Sequence, residues 1–382
     1  MWSLVKRMCA IGMAVLLVWL GLCRISASAE ETEIPAAAYV LMEAETGTVL
    51  LESNGDAPFS CGTMAKLMTA LLTAEQLTSG SWTLETELTA GEEVSGISGA
   101  VIWLVPGEKM TVSDLLKGLI IGNAGDAAAM LAVGISGDAA SFVMEMNARA
   151  FDLGMRSTRF DAPQGSNAET QYTTAADLAR LCRALSEYDV LMPYFQTWRD
   201  FLRGEETELV NENTFARTDD TSIGFKACHT EADGWSIAAG AERKQMKCIA
   251  VVLGCQTDDS RFALAKSLLR RGFAGWQVVQ PAFSAEFLYP VTVRGGICRS
   301  VLVEPKRLQG LVVPKSDQEL ETVLVLPRYV LAPVKKGQRL GRAAFYHGDT
   351  LLDETAVVAS DSVRLRNFED SLSQFVVKLL KL

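Results

Sequence analysis

The sequence predicts an α/β fold in which an antiparallel sheet is flanked by helices, followed by a small all-β domain and a C-terminal amphipathic helix. Over about residues 30–275 the order is a hairpin, several helices, apolar strands and a last helix, which is typical of one α/β domain. After Pro281, short apolar runs alternate with Gly, Pro and charged residues, which predicts an all-β domain over about residues 280–365. With 382 residues, of which 49% are apolar, the chain is long enough for two domains.

The first residues are typical of a secretory signal peptide. Lys6 and Arg7 precede an apolar run over residues 8–23, and Ala27-Ser28-Ala29 is a small-residue cleavage site. The run is too short to be a spanning helix. Removal of residues 1–29 leaves 33 basic against 46 acidic residues, a net charge of −13. An exported protein of this charge is not expected to bind nucleic acid.

The opening elements follow from apolar periodicity. Two apolar segments, Tyr39–Glu43 and Thr48–Glu52, flank a turn and predict a hairpin. From residue 61 to residue 74, apolar side chains recur at three- and four-residue spacing, which predicts a helix with a buried face. Thr63 and Lys66 lie about one turn apart at its positive end. A hydroxyl beside an amine is one way to build a nucleophile, although a lone Thr-x-x-Lys pattern is common.

Polar caps and apolar runs define the rest of the first domain. Helices are predicted to start at Thr111, Asp126, Asp138 and Thr174, whose side chains can cap them. The segment 122–125 ends the first of these helices and separates it from the second. Three strands are predicted at Ile223–Ala227, Trp235–Ala241 and Cys248–Gly254, and a last helix at Asp259–Arg271.

The β-rich region and the tail complete the chain. Strands of the small domain are predicted at Tyr289–Val293, Ser300–Val303, Leu311–Pro314, Glu321–Leu326 and Ala343–Tyr346. Residues 367–382 carry apolar side chains on one side of a helix, with Lys378 and Lys381 near its end. This pattern predicts a helix that lies in the plane of a membrane interface, and packing on the β-domain or on a partner is the alternative.

Six cysteines remain after cleavage of the leader, and their spacing matches no zinc pattern. Several lie in apolar runs, which favours buried free thiols. The sequence therefore predicts no metal and no cofactor.

Taken together, these features resemble the low-molecular-mass penicillin-binding proteins, and in particular the serine-type D-alanyl-D-alanine carboxypeptidases of peptidase family S11. The resemblance covers nearly all of the mature chain. Its local signatures are Met42–Leu50, Pro106–Leu116, Tyr172–Asp177 and Leu209–Asn213. It implies a β-lactamase/transpeptidase-like first domain, a place on the outer face of the cytoplasmic membrane and a role in peptidoglycan metabolism.

All three catalytic motifs of that family, S-x-x-K, S-x-N and K-T-G, are altered here. Thr63 stands at the nucleophilic serine, with Lys66 retained. The second motif reads Asn123-Ala124-Gly125, and the third reads Lys226-Ala227-Cys228. The resemblance implies that the catalytic positions are Thr63, Lys66 and Asn123, and that the substrate-binding positions are Gly125, Lys226, Ala227 and Cys228.

These changes remove groups that acyl transfer needs. Thr63 keeps a hydroxyl but adds a methyl group that crowds the line of attack. The amide of Asn123 cannot relay a proton as a hydroxyl does. Gly125 and Ala227 lack the side chains that orient substrate, and Cys228 places a side chain where the backbone approaches the ligand.

Two functions follow from the sequence. The first is a degenerate relative that binds peptidoglycan stem peptide or a cell-wall protein without turnover. The second is a slow or altered carboxypeptidase with Thr63 as nucleophile and Lys66 as base. A minor alternative pairs Cys61 with His229 as a thiol dyad, and Cys61 and Cys228 can also form a disulfide in an oxidising compartment.

Overall fold

The computed structural model describes residues 36–165, 170–281, 290–307, 310–316, 320–372 and 376. The predicted signal peptide lies outside the described residues, and so does most of the predicted tail helix. The boundary proposed near residues 275–280 stays a prediction.

The main sheet has five strands, all antiparallel. Its order is Val49–Ser53, Ala38–Glu43, Met246–Cys255, Gly234–Arg243 and Ser222–Thr230. The last of these, hereafter the edge strand, is buried along nearly all of its length. The hairpin and the three later strands are therefore confirmed as the sequence predicts them. Because the edge strand pairs on one side only, its other side is available to a neighbouring element.

Helices pack on the sheet and on one another. A single 3₁₀ turn, Gly62–Ala65, leads into the helix Lys66–Thr78, hereafter the central helix. Residues 66–74 of the central helix are all buried, so it is surrounded by other elements rather than lying on the surface. The remaining helices are Val112–Ile120, Gly125–Ser136, Ala139–Asp152, Ala175–Leu185, Met192–Gln196, Phe215–Thr218 and Asp258–Gly275, with short 3₁₀ turns at Glu92–Val94 and Asp189–Leu191.

Most of the predicted helix caps are confirmed. The side chains of Thr111, Asp138 and Thr174 each accept a hydrogen bond from the backbone three residues on. Asp126 is the exception, because the N-cap of its helix is Ala124. The carboxylate of Asp126 instead accepts from a loop more than 20 residues earlier in the chain, so the prediction that it caps a helix is wrong.

The hydrophobic core that contains the central helix and the core of the β-rich region are separate clusters of buried side chains. In the β-rich region, Trp276–Val279 pairs with Leu311–Pro314. Three strands form one sheet, Ser300–Val301, Val291–Arg294 and Tyr329–Leu331, and four form another, Val303–Pro305, Thr350–Ala359, Arg339–His347 and Leu320–Val325. The strands Tyr329–Leu331 and Thr350–Ala359 are absent from the prediction. The first has only three residues, and charged side chains interrupt the alternation of the second.

Three short pairings involve two strands each: Phe59–Ser60 with Tyr172–Thr173, Glu87–Thr89 with Lys109–Thr111, and Arg199–Leu202 with Thr207–Val210. Residues 368–372 are helical, and the side chains of Phe368 and Leu372 are exposed. Within the described ranges, no single helix is long and apolar enough to cross a membrane. One pair of helices, Gly125–Ser136 and Ala139–Asp152, passes that test jointly by length and composition, with a bend of 85° between them.

Candidate active-site cleft

The start of the central helix comes very close to the edge strand. Gly62 has a φ of +48°, and a Cβ at this position would lie 2.7 Å from Thr230 Cγ2 and 3.0 Å from Cys228 Sγ. Glycine is therefore required both by the backbone conformation and by the space. This contact brings Thr63, the next residue, against the edge strand at the positive end of the central helix.

A cleft of about 430 Å³ opens beside this contact. Thr63, Lys66, Asn123 and Gly125 all line it, together with the loop 96–100 and residues 164–165. Lys226 joins the same cleft through a hydrogen bond to Asn123. Cys228 joins it through a hydrogen bond from Thr63.

Ala227 lies elsewhere. Its neighbours Lys226 and Cys228 are hydrogen-bonded to the cleft-lining residues Asn123 and Thr63, and successive side chains of a strand point to opposite faces. Ala227 is buried, and it is not one of the residues that line the cleft. Four of the seven predicted site residues thus line the cleft, Lys226 and Cys228 are hydrogen-bonded to lining residues, and Ala227 lies on the other face of the strand.

The Thr63 hydroxyl donates a hydrogen bond to Cys228 Sγ at 3.3 Å. Sulfur is a weak acceptor, so this bond holds the hydroxyl without activating it. Among the described residues, no hydrogen bond joins the Thr63 hydroxyl to the Lys66 ammonium. The side chain that replaces a glycine of the third motif is therefore the partner of the candidate nucleophile.

On the other side of the cleft, Lys226 is held by polar side chains. Its ammonium donates to Asn123 Oδ1 at 2.7 Å, and Asn123 Nδ2 donates to Glu212 Oε1 at 3.2 Å. Asn123 has a φ of +54°, a left-handed conformation that asparagine tolerates better than most residues. Lys226, Asn123 and Glu212 thus form a chain that runs from the buried lysine to an exposed carboxylate.

The two lysines of the cleft titrate below their ordinary range. Burial, and after it the neighbouring charge of Lys226, lower the pKa of Lys66 to about 7, while Cys228, Glu212 and Asp126 oppose the shift. Burial also lowers the pKa of Lys226, against the attraction of Glu212. A lysine that is partly neutral near pH 7 can accept a proton, so Lys66 keeps the property that a general base needs.

Asp126 fixes the loop that forms the far wall. Its carboxylate accepts hydrogen bonds from the backbone of Ile102 at 3.1 Å and of Leu104 at 3.0 Å. The carboxylate is buried, so these bonds supply the compensation that its charge requires.

The same loop fills the space next to Gly125. A Cβ at position 125 would lie 2.8 Å from Ile97 Cγ2. The amide that the family pattern expects two residues after Asn123 is therefore replaced by an apolar contact from Ile97. No side chain at position 125 fits unless Ile97 moves.

Neither the disulfide between Cys61 and Cys228 nor the thiol dyad of Cys61 and His229 fits the structure. Cys61 and Cys228 are both free thiols and both buried, so the cross-cleft disulfide is not formed. Burial and the nearby Cys228 raise the pKa of Cys61 well above its usual range, which is the opposite of what a nucleophilic thiol needs. His229 is exposed and lies with its ring centroid 4.3 Å from that of Trp235.

Sequence patterns did not identify three residues that act on the site. Glu212 and Ile97 act on the cleft from loops, and Arg261 donates from Nη1 to the backbone oxygens of Cys228 and Ser236 at 2.7 and 3.0 Å. Only Glu212 had a local signal, because it lies inside the signature segment Leu209–Asn213.

In the part of the chain that the structure describes, no three His, Cys, Asp or Glu side chains are grouped as metal ligands would be.

Comparisons with known proteins agree with this geometry. The profile of the peptidase S11 family, D-alanyl-D-alanine carboxypeptidase, matches residues 25–257. The chain is 29% identical over 335 residues to D-alanyl-D-alanine carboxypeptidase DacF of Bacillus subtilis, which covers 86% of each chain. It is 28% identical over 357 residues to DacC of Escherichia coli, covering 91% of this chain and 89% of that protein.

Solved structures give the same result. Penicillin-binding protein 5 from Haemophilus influenzae is similar with a TM-score of 0.80 at 25% identity, covering 87% of this chain and 98% of that one. Penicillin-binding protein 6B from Escherichia coli is similar with a TM-score of 0.72 at 25% identity, covering 87% and 98%. These matches confirm the resemblance and the fold class that the sequence predicts.

Proposed function

This chain belongs to the D-alanyl-D-alanine carboxypeptidase family of peptidase S11, and we propose that it is an exported member that binds peptidoglycan stem peptide with little or no turnover. One observation carries the proposal: the substituted residues of the cleft are hydrogen-bonded to the groups that would do the chemistry. Thr63 donates to Cys228, and Lys226 donates to Asn123. A hydroxyl that is engaged in this way is poorly placed to attack a peptide, whereas the Lys226 ammonium uses one of its three protons and keeps two for a carboxylate.

Binding without turnover is consistent with the shape and charge of the cleft. Its volume of about 430 Å³ is within the range of ordinary ligand sites. Lys66 lines it and Lys226 lies next to it, hydrogen-bonded to Asn123, so an anionic peptide terminus is attracted. What it lacks is a hydroxyl at the second motif to pass a proton to the leaving amine, since Asn123 offers only an amide.

The test uses a stem pentapeptide that ends in D-Ala–D-Ala. We expect calorimetry to detect binding to the mature chain at roughly micromolar to millimolar Kd, together with negligible release of D-alanine. The matched variant is Lys226→Met, which removes a cleft cation and should weaken binding. Release of D-alanine at a rate ordinary for the family, abolished by Thr63→Ala, would overturn the proposal.

A second candidate function is slow or altered carboxypeptidase activity with Thr63 as nucleophile and Lys66 as base. The lowered pKa of Lys66, about 7, favours it, because a fraction of this lysine is neutral and can take a proton. Incubation with a labelled penicillin followed by mass spectrometry separates the two functions. An adduct on Thr63 that is lost in Lys66→Ala supports slow catalysis, and the absence of any adduct supports binding alone.

We further propose that the mature protein is held on the outer face of the membrane by residues 367–382. Charge supports this placement: residues 30–289 carry 19 Lys and Arg against 36 Asp and Glu, whereas residues 290–382 carry 14 against 10. The C-terminal part is thus suited to anionic headgroups, which repel the rest of the chain.

Liposome flotation tests the attachment. The chain 30–382 should float with anionic vesicles, and the chain 30–366 should stay in solution. Equal behaviour of the two would assign the tail to intramolecular packing or to a protein partner.

A further inference from the structure

A second cavity, of about 420 Å³, lies at the C-terminal end of the helix Asp258–Gly275. Its walls come from the turn after Arg243, from the helix end and from Lys315 in the β-rich region. It shares no lining residue with the cleft. We propose that this cavity, hereafter the junction pocket, binds an anionic saccharide, that is, a sugar ring that carries a phosphate or a carboxylate. The proposal does not depend on the function of the cleft.

The charge of the junction pocket selects an anion. Arg243, Lys244 and Lys315 line it, and among the described residues no acidic side chain does. Arg243 is partly neutralised by Asp219, with 3.5 Å between Nη2 and Oδ2. Lys244 and Lys315 form no ion pair with any residue that the structure describes. Arg243 and Lys244 belong to residues 30–289, where acids outnumber bases by 36 to 19, and Lys315 adds a third positive charge from the β-rich region.

Two of the three cations, Lys315 and Arg243, are held by contacts with Phe273. The Lys315 ammonium donates to the Phe273 backbone oxygen at 2.5 Å, which leaves two of its protons for a ligand. The Arg243 guanidinium lies 5.0 Å from the centroid of the Phe273 ring. The backbone of Lys315 donates to Gly275 at 2.8 Å. Groups fixed in advance lose less freedom when a ligand binds, which favours affinity.

The two aromatic side chains of the junction pocket favour a ligand that contains a sugar ring. Phe273 and Trp276 both line the junction pocket, and both are half-buried. Aromatic faces present a large apolar surface of defined geometry, and the C–H face of a sugar ring is the apolar part of an otherwise polar molecule. A ligand that places such a face on Phe273 and Trp276 and its anion between Lys244 and Lys315 contacts both the aromatic side chains and two of the cations of the pocket.

The position of the junction pocket gives binding a structural consequence. Trp276 pairs with Pro314, directly before Lys315, so the pocket spans the connection between the main sheet region and the β-rich region. An anion bound by Lys244 on one side and Lys315 on the other would tie the two together.

Calorimetry at low salt with the mature chain tests the proposal. The probes are N-acetylglucosamine 1-phosphate and N-acetylmuramic acid, compared with neutral N-acetylglucosamine and with inorganic phosphate. We expect at least one charged sugar to bind at least about tenfold more tightly than either reference. Preference between the two charged probes distinguishes a phosphate-bearing polymer from the carboxylate of the glycan. Inorganic phosphate that binds as tightly as the sugar phosphate would overturn the saccharide assignment.

The matched variants are Lys244→Glu and Lys336→Glu. Both lysines are exposed, but only Lys244 lines the junction pocket. We expect Lys244→Glu to weaken binding of the charged sugar about tenfold or more, as loss of a charge-assisted hydrogen bond does. Lys336→Glu should change it less than about twofold, within the range of a remote surface charge. Equal effects of the two variants would show non-specific attraction and overturn the proposal.

Discussion

The two walls of the cleft have changed to different degrees. On the helix wall, Thr63 keeps a hydroxyl and Lys66 keeps an amine whose pKa, about 7, suits proton transfer. On the strand wall, Cys228 binds the Thr63 hydroxyl, and Lys226 is joined to Asn123 and through it to Glu212. The chemistry of the helix wall is therefore restrained by its neighbours rather than removed. Activity should depend more on the strand wall than the altered nucleophile alone suggests.

Reverting both walls together should change the acylation rate most. We predict that Thr63→Ser with Asn123→Ser and Cys228→Gly accelerates formation of a covalent penicillin adduct by about 100-fold or more over the unchanged chain. The serine introduced at position 63 lacks the crowding methyl group, the one introduced at position 123 offers a hydroxyl to relay a proton, and glycine at position 228 removes the sulfur that holds the nucleophile. Single-turnover acylation with a fluorescent penicillin measures the rate.

The control is the same triple variant with Lys66→Ala, which should return the rate to that of the unchanged chain. If the triple variant is no faster, then the space that Ile97 takes beside Gly125, and not the hydrogen bonds between the walls, limits acylation.

Regular elements could be predicted from the sequence because their signals are local. The strands of the main sheet carry long apolar runs, and Thr111, Asp138 and Thr174 cap helices as their side chains allow. Motif positions likewise identified four residues that line the cleft and two, Lys226 and Cys228, that are hydrogen-bonded to lining residues. Glu212, Ile97 and Arg261 could not be found in this way, because each acts on the site from a segment far away in the chain. Glu212 lies inside the signature segment Leu209–Asn213, but its contact with Asn123, like the contacts of Ile97 and Arg261, depends on tertiary packing.

Asp126 shows how one residue can satisfy a local pattern and still act at a distance. It precedes an apolar helical run, as a cap does, yet its carboxylate accepts from Ile102 and Leu104. We predict that Asp126→Asn lowers the free energy of unfolding by about 2–4 kcal/mol, because a buried charge with several backbone donors is replaced by a group that accepts from fewer. Urea denaturation measures the change.

The matched control is Asp114→Asn. Asp114 pairs with Lys117 near the surface at 3.8 Å, so the change in unfolding free energy should stay below about 0.5 kcal/mol. A similar loss in both variants would mean that the loop 96–104 is held by contacts other than Asp126.

Lys66 and Lys226 differ in the contacts that compensate for their burial. We expect this difference to appear as a modest, pH-dependent change in the free energy of unfolding. Burial is the main cause that lowers the pKa of Lys66 to about 7, against about 10.4 in an unfolded chain. Below pH 7 this lysine is charged in both states and destabilises the fold fully. Between pH 7 and pH 10 the destabilisation fades, because the folded state loses its proton first.

We therefore predict that Lys66→Met raises Tm by about 2–4 °C or more at pH 6, with a smaller rise at pH 9.5. Lys226→Met should raise it less at either pH, because it leaves Asn123 Oδ1 without its donor. Thermal unfolding of the two variants and the unchanged chain at both pH values measures the difference. A rise for Lys66→Met that is independent of pH would show that Lys66 does not titrate near 7, and the helix wall would then lack a ready base.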